Sequence, residues 1–542
     1  MMALVLLITA MICYGAAYRL YGRFLSRHYQ LDPARKTPAQ TREDGTDFVP
    51  AKNGWVLFGH HFSSICGAGP IVGPVLAVAY WGWGVSAIWI VLGAILMGAV
   101  ADFSSLVMSV RSDGRSIAEV SGDLVSRKVK IYFSIFLWIT LVLIIAVFSI
   151  FAAKTFIEEP DAVIPSAGLI PTALLTGWLL YGTQIRNLYA TLTGLMILVS
   201  LLFLGTKIHI VMPAVGGLDA QSLWILILLA YCFIASVVPV QILLQPRDYL
   251  ASFILFALIL IGVVSVFTHP LSMQVPVVTE FNPPDWPQAG PLWPTLFVTI
   301  ACGAISGFHS LVASGTTCKQ IASETHVCRV GYGGMLLESL VGILVLIAVG
   351  AGLSYAELGS LLKSGGPISA FSHGYAVLTG NFLGDYAKAF AVLALNAFIL
   401  TTLDTATRIT RYLTSELFRI ENKYLATLIV VTASGLLALT GQWNLLWPAF
   451  GAANQLIAGI ALLLASCWLL EKGKNFYITL IPALLMLVTT IGAFALQLIQ
   501  SLTCDQQGAW SPNWPLAVIA AVLIALAVSV AKDTLRVINK SR

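Results

Sequence analysis

Apolar residues fall along this chain in long blocks, not at the three-and-four spacing of helices that lie half in water. The blocks are 3–22, 55–78, 85–110, 131–153, 168–184, 188–206, 221–243, 249–268, 293–318, 332–353, 386–416, 424–440, 444–470, 476–500 and 514–531. A helix needs about 20 mostly apolar residues to cross hydrocarbon. The pattern predicts an all-α polytopic membrane protein with about 15 transmembrane helices, 168–184 and 424–440 being the shortest. Two blocks are interrupted. The run from Trp55 to Val78 carries His60 and His61 ahead of Gly67-Ala68-Gly69-Pro70. The run from Trp293 carries Ser306-Gly307-Phe308-His309 and then Ser314-Gly315-Thr316-Thr317. Gly59, His61 and Gly67 match Gly307, His309 and Gly315 at a constant spacing of 248 residues.

The polar positions between the blocks give direction. Every odd-numbered block is followed by Lys or Arg. The first exit carries Arg19, Arg23, Arg27, Arg35, Lys36 and Arg42, and the third Arg111, Arg115, Arg127, Lys128 and Lys130. Arg186 and Arg247 follow the fifth and seventh blocks, and Lys319 and Arg329 the ninth. Arg408, Arg411, Arg419 and Lys423 follow the eleventh, Lys472 and Lys474 the thirteenth, and Lys532, Arg536, Lys540 and Arg542 the fifteenth. The even exits hold Glu158, Glu159 and Asp161, a Pro-rich loop from Pro270 to Pro294, and Thr503 to Asn513. Basic loops stay in the cytosol, so the N-terminus is expected outside and the C-terminus in the cytoplasm. Seven blocks, the second to the eighth, separate the start of one interrupted block from the start of the other, an odd number, so these cross in opposite directions. That is an inverted repeat with discontinuous helices, the sequence pointer to a secondary transporter's binding site. The expected organisation is an N-terminal helix and cytosolic connector over 1–54, a first half over 55–292, and a second half with C-terminal helices over 293–542. Ser354–Gly384 is amphipathic and reads as a re-entrant or surface helix on the outer side.

Composition narrows the classes. The chain is 58% hydrophobic and 10% charged, against roughly 25% charged in soluble domains, so the lipid bilayer is its main partner. The net charge of +5 is spread over short loops and gives no basic patch for nucleic acid. No Gly-Lys-Ser/Thr phosphate loop is present, which disfavours ATP-driven transport by this chain alone. Met1–Leu20 lacks a basic start and a cleavage site, so it reads as a retained first span. Cys13, Cys66, Cys232, Cys302 and Cys467 sit in apolar runs; only Cys504 falls in an expected outside loop, so no structural disulfide is expected.

Few side chains remain to carry chemistry. Gly67, Ala68 and Gly69 in the first break, and Ser306, Gly307, Phe308, Ser314, Gly315 and Thr316 in the second, free backbone groups at mid-membrane. Freed N–H groups attract a carboxylate and freed carbonyls a cation; alternatively the small residues allow close helix packing. His60, His61 and His309 either carry a coupling proton or donate to carbonyls opened by the breaks. A third reading makes them the ligands of an intramembrane metalloenzyme, though no acidic or thiolate partner is spaced to complete the set, so no metal is assigned. Thr401, Thr402, Asp404 and Thr405 offer oxygens to Na+, or Asp404 carries a proton, or Asp404 simply pairs with Arg408 one turn on. Asp102 and Glu338 are expected to pair with Arg or Lys at the cytosolic rim. Asn454, beside Gln455 after Pro448 and Gly451, either lines a substrate path or bridges helices.

Several stretches resemble one family closely. They are Asp44-Gly45-Thr46-Asp47-Phe48-Val49-Pro50, Val56-Leu57-Phe58-Gly59-His60-His61-Phe62 with Gly67-Ala68-Gly69-Pro70-Ile71-Val72-Gly73-Pro74, and Asp102-Phe103 with Arg111-Ser112-Asp113-Gly114-Arg115-Ser116. Ser314-Gly315-Thr316-Thr317, Thr401-Thr402-Leu403-Asp404-Thr405-Ala406-Thr407-Arg408 and Trp447-Pro448-Ala449-Phe450-Gly451-Ala452-Ala453-Asn454-Gln455 follow. Together they resemble the carbon starvation protein (CstA-type) family. The resemblance implies uptake of pyruvate or short peptides across the bacterial inner membrane, coupled to H+ or Na+ and most simply to protons, with no other cofactor. It also implies the amino acid–polyamine–organocation superfamily and a LeuT-like core, in which the eleventh block's Leu-Thr-Thr looks like a sodium site. LeuT-like repeats have five spans each, and here seven separate the copies. The chain also has Cys318 where relatives tend to have proline, and it lacks a long C-terminal region, which leans the expectation towards a small carboxylate.

Overall fold

A computed structural model describes the chain except Lys52, Val215, Gln442, residues 503–512 and residues 541–542, and it leaves aside the side chains of Tyr181, Asn444 and Leu445. Cys504 and Arg542 therefore lie outside the described residues, as does the 503–512 part of the last outer loop. The seven described cysteines are free thiols.

The regular elements among the described residues are all helices. We number the main helices α1 (Met2–His28), α2 (Gly54–Ile65), α3 (Gly69–Trp81), α4 (Trp83–Val110), α5 (Arg127–Glu158), α6 (Val163–Tyr181), α7 (Asn187–Gly205), α8 (Ala220–Val237) and α9 (Leu244–Thr268). There follow α10 (Leu292–Thr299), α11 (Gly307–Gly315), α12 (Cys328–Gly352), α13 (Gly366–Leu383), α14 (Ala387–Phe418), α15 (Lys423–Ala438), α16 (Trp443–Glu471), α17 (Tyr477–Leu502) and α18 (Trp514–Lys540). Among the described residues, 12 spans are long and apolar enough to cross a membrane, or 13 with the bent pair α2–α3. The expectation of fifteen is larger for two local reasons. The 424–440 block is a helix of only 16 residues, and the 293–318 block is cut into short pieces.

Burial sorts these helices. In α14 and α16, 94% of the apolar window is buried, whereas in α1 and α7 the figure is 28%. The outer helices turn Ile12, Leu20, Met196, Leu436, Ile481 and Val488 outward. Bare aliphatic side chains on the rim fit a hydrocarbon solvent. The inner helices are α2, α3, α4, α5, α9, α11, α12, α14 and α16. The Ser354–Gly384 stretch forms a short helix, Tyr355–Ser364, started by a Ser354/Glu357 capping box, and then α13. α13 packs inward on α12, α14, α9 and α3, and Tyr375 Oη donates to the Leu258 carbonyl at 2.8 Å. It is docked on the core rather than lying on the surface.

Both interruptions are real. Asn53 starts α2 by accepting from the N–H groups of Trp55 and Val56. α2 stops at Ile65, where Cys66 takes ψ 80, and α3 restarts at Gly69 with Pro70 in its first turn. That is a position where a missing N–H costs no helical bond. The two segments bend by 44°. In the second block, Ile305 and Ser306 are extended between Ala301–Ala304 and α11. The letter match and the chain breaks use different registers. The first break follows His61, whereas the second precedes His309.

Candidate functional site

The end of α2 presses against α14. Thr401 Oγ1 donates to the Ser63 carbonyl at 2.7 Å, Thr402 Oγ1 to the Ser64 carbonyl at 3.3 Å, and Thr405 Oγ1 to Ser64 Oγ at 3.4 Å. The proposed sodium oxygens thus share one seam, with their hydroxyls engaged by α2. Gly67 lies in the same seam. A Cβ there would fall 2.7 Å from the Phe148 ring and 2.8 Å from Thr402 Oγ1. A Cβ on Gly69 would fall 2.3 Å from Cys302, so that glycine is needed for close packing of α3 on the second broken segment. Ala68 between them is fully buried.

A buried charge cluster sits behind this seam. His60 Nδ1 donates to Asp248 Oδ2 at 2.7 Å, and Ser64 Oγ donates to the same oxygen at 3.1 Å. Arg247 donates to Asp248 Oδ1 from Nε at 3.1 Å and from Nη2 at 2.5 Å, to Tyr231 Oη at 2.6 Å, and it also ion-pairs with Asp404. Tyr231 Oη donates to Asp404 at 2.6 Å. Gln320, held by Gln245, donates to His60 Nε2 at 2.9 Å. An imidazole with Nδ1–H toward a carboxylate and Nε2 accepting an amide N–H is neutral.

Three sequence expectations are corrected here. Asp404 does not pair with Arg408. Arg408 instead reaches Asp47 at 3.0 Å, in the connector before α2, together with the carbonyls of Ala235 and Val238. Arg247 is not a loop charge, because it is fully buried near the start of α9. Asp102 and Glu338 do not reach the rim residues either. His309 Nδ1 donates to Asp102 at 3.0 Å, and the Glu338 carboxylate lies 2.8 Å from His309 Nε2, off the hydrogen-bonding direction. The histidines thus take side-chain partners rather than backbone carbonyls, His61 Nδ1 being 2.8 Å from Thr317 Oγ1. They turn to three separate partner sets. Among the described residues no three His, Cys, Asp or Glu side chains gather as metal ligands.

The second break is clamped rather than open. Asn454 Oδ1 accepts from the Phe308 N–H at 2.7 Å and from Ser306 Oγ at 3.3 Å, capping α11 from another helix. A Cβ on Gly307 would meet Ile457 at 2.2 Å and the Asn454 carbonyl at 2.3 Å. Asn454 therefore bridges helices. At the far end of α11, Cys318 Sγ donates to the Ser314 carbonyl at 2.9 Å and Thr316 Oγ1 to Val312 at 3.1 Å.

Two cavities meet opposite ends of this second broken segment. One, of about 530 Å3, is lined by Ser314, Gly315 and Lys319 together with Asp47, Tyr412 and Arg419. The other, of about 380 Å3, is lined by Thr295, Val298 and Thr299 together with Tyr80, Trp286 and Trp447. The breaks and both charged clusters belong to the packed helices between those ends.

Sequence reasoning missed Arg247, Asp248, Tyr231 and Gln320, and misassigned Asp102 and Glu338. Arg247-Asp248 adjoins an apolar run, and a charged pair there is the signal that was available.

A model of the family described as carbon starvation protein CstA matches residues 2–360 and 354–493. Peptide transporter CstA of Campylobacter jejuni is 34% identical, over 90% of this chain and 79% of its own length. Peptide transporter CstA of Escherichia coli K12 is 32% identical, over 95% of this chain and 82% of its own. The pyruvate/proton symporter BtsT of the same organism is 30% identical, over 92% and 82%. Among solved structures, a manganese transporter of Eremococcus coleocola superposes with a TM-score of 0.55 at 12% identity, over 91% of this chain and 99% of that one. At such identity the likeness concerns the fold.

Proposed function

We propose that this chain, which belongs to the carbon starvation protein CstA family, is a proton-coupled symporter. Its substrate is a small carboxylate such as pyruvate, or a short peptide. The substrate binds at mid-membrane, and its carboxylate meets the backbone N–H groups of Ala68 and Gly69 at the start of α3, the Gly67 N–H being taken by the Ile65 carbonyl at 2.9 Å. In this reading the core is a LeuT-like inverted repeat in the bacterial inner membrane, and access alternates between the two cavities.

One observation carries the proton assignment: the buried His60–Asp248–Arg247–Asp404 cluster behind the first break. One guanidinium faces two carboxylates, so a neutral imidazole leaves the group one negative charge in excess. Buried charge without a partner is expensive, and a proton on His60 removes the excess. Binding that proton and the substrate together then links their movements. Proton coupling also agrees with the name of the relative BtsT. A sodium reading has its own support in the Thr401–Thr402–Thr405 seam on the Ser63 and Ser64 carbonyls, but there the hydroxyls would have to turn away to admit a cation.

The test is uptake of labelled pyruvate and of labelled dialanine into proteoliposomes, with a proton or a sodium gradient imposed separately. Accumulation of either substrate under the proton gradient, lost in His60→Gln, supports the proposal. Accumulation under the sodium gradient alone assigns the seam instead, and none under any gradient overturns transport of these substrates.

A further inference from the structure

The second cluster is separate from the one just used. Asp102 on α4, His309 on α11 and Glu338 on α12 are all fully buried, and they join three helices around the second break. Two carboxylates share one imidazole there. If His309 is charged and both carboxylates are ionised, the group carries one negative charge with no counter-ion, which a dry site resists. The geometry shows where relief is available. Both Glu338 oxygens and Asp102 Oδ1 are buried with no aligned hydrogen-bond donor, so the contact with His309 Nε2 at 2.8 Å, an imidazole it shares with Asp102, is the one charge partner these contacts give an ionised Glu338. A protonated Glu338 makes the triad neutral. The titratable groups facing it are His61 from α2 and the thiols of Cys66 and Cys302.

A route to the triad is also present. His61 Nδ1 lies 2.8 Å from Thr317 Oγ1, and Thr317 sits in the chain between Ser314 and Lys319, which line the larger of the two cavities described. Its Nε2 is buried without a partner, and its Cδ2 would lie 3.1 Å from a Cβ on Gly334. Gly334 is one helical turn before Glu338 on α12, hence on the same face. The ring therefore links a residue next to the cavity lining with the face of α12 that carries Glu338, and its second nitrogen has no partner.

We propose that Asp102, His309 and Glu338 form a second proton-binding site, so that each substrate crosses with two protons, one on each buried cluster. This rests on the symporter reading above, and the test separates the two. In proteoliposomes with the membrane potential clamped at zero and a tenfold proton gradient, a carrier of two protons accumulates its substrate about a hundredfold at equilibrium, and a carrier of one about tenfold. Labelled pyruvate and dialanine are the probes. The wild type is expected near a hundredfold, Glu338→Gln, which fixes the triad neutral, near tenfold, and Glu338→Asp near the wild-type value. Tenfold accumulation by the wild type overturns the second site while leaving proton symport intact. A hundredfold accumulation that persists in Glu338→Gln also overturns it. No proton-driven accumulation by the wild type fails the symporter reading itself. The wild-type ratio needs no variant to fold.

Discussion

Replacing Arg247 with methionine isolates the charge argument. The guanidinium is fully buried and bonds to Asp248 twice, to Tyr231 and to the Leu400 carbonyl, besides its ion pair with Asp404. Methionine fills similar volume but leaves two carboxylates against one imidazole. Removing one partner of a buried pair costs about 3–5 kcal/mol, a change of roughly a hundredfold to several thousandfold in the folding equilibrium. Adding Asp404→Asn removes the orphaned charge and leaves His60 and Asp248 as a balanced pair. The double variant should then fall only about 1–2 kcal/mol below the wild type, the size of the lost hydrogen bonds. Unfolding by SDS in mixed micelles, followed by tryptophan fluorescence, measures each corner of the cycle. A coupling energy of about 2 kcal/mol or more is expected between positions 247 and 404. The same cycle with Arg408→Gln should show no rescue by Asp404→Asn, because Arg408 serves Asp47. The reasoning fails if Arg247→Met is as stable as the wild type, or if Asp404→Asn rescues Arg408→Gln instead.

Gly69→Ala should destabilise by about 1–3 kcal/mol through overpacking; Cys302→Gly should restore the loss and Cys302→Ala should not, since the clash includes Cys302 Cβ. Asn454→Leu strands the buried Phe308 N–H and should cost about 1–3 kcal/mol, whereas Asn454→Asp keeps the acceptor and should cost less in the same micelle assay. Acid should loosen the loop after the second break. Burial alone would raise the Glu324 carboxyl, but its bonds to Arg111, the Asp32 N–H and the charge of Arg35 hold it below the usual range. A lowered acid stabilises above its unfolded value and loses that contribution as pH falls through the folded one. Thermal unfolding of the wild type should therefore weaken below about pH 4, and Glu324→Gln should remove that part of the acid dependence; an unchanged acid limb would count against it.

What was legible in the sequence follows the range of the interactions involved. Hydropathy over about 20 residues is a local property, and each of the fifteen blocks coincides with a helix or a broken helix. The small-residue breaks are local too, and helix is interrupted at Cys66–Ala68 and Ile305–Ser306, beside the glycines of each run. Pairing is not local. Asp404 and Arg408 stand at helical spacing, yet each has a partner more than a hundred residues away, Arg247 and Asp47. Counting Arg247 among the loop cations made it invisible as a core residue. The same rule hid the second triad, since nothing in the sequence ties position 102 to 309 and 338.

That hidden pairing bears on how a packed bundle can move at all. Gly69 and Gly307 allow no added methyl against Cys302 and Ile457, and Asn454 pins the second break to α16. Sliding these faces apart costs close-packed contacts whatever the ligand does. The charged clusters add a second cost that depends on their protonation. An unbalanced carboxylate is held by its arginine or histidine and resists separation from it. A balanced cluster keeps its ion pairs, His60 with Asp248 and His309 with Asp102, but leaves no carboxylate uncompensated in the dry interior. On the proposed reading, a proton on each cluster removes the uncompensated charge that any rearrangement of α2 and α11 against α9, α12 and α14 would otherwise have to carry, without touching the packing. We therefore expect the bundle to exchange its two cavities when its clusters are charge-balanced and to be held when they are not, which is the condition that coupling requires.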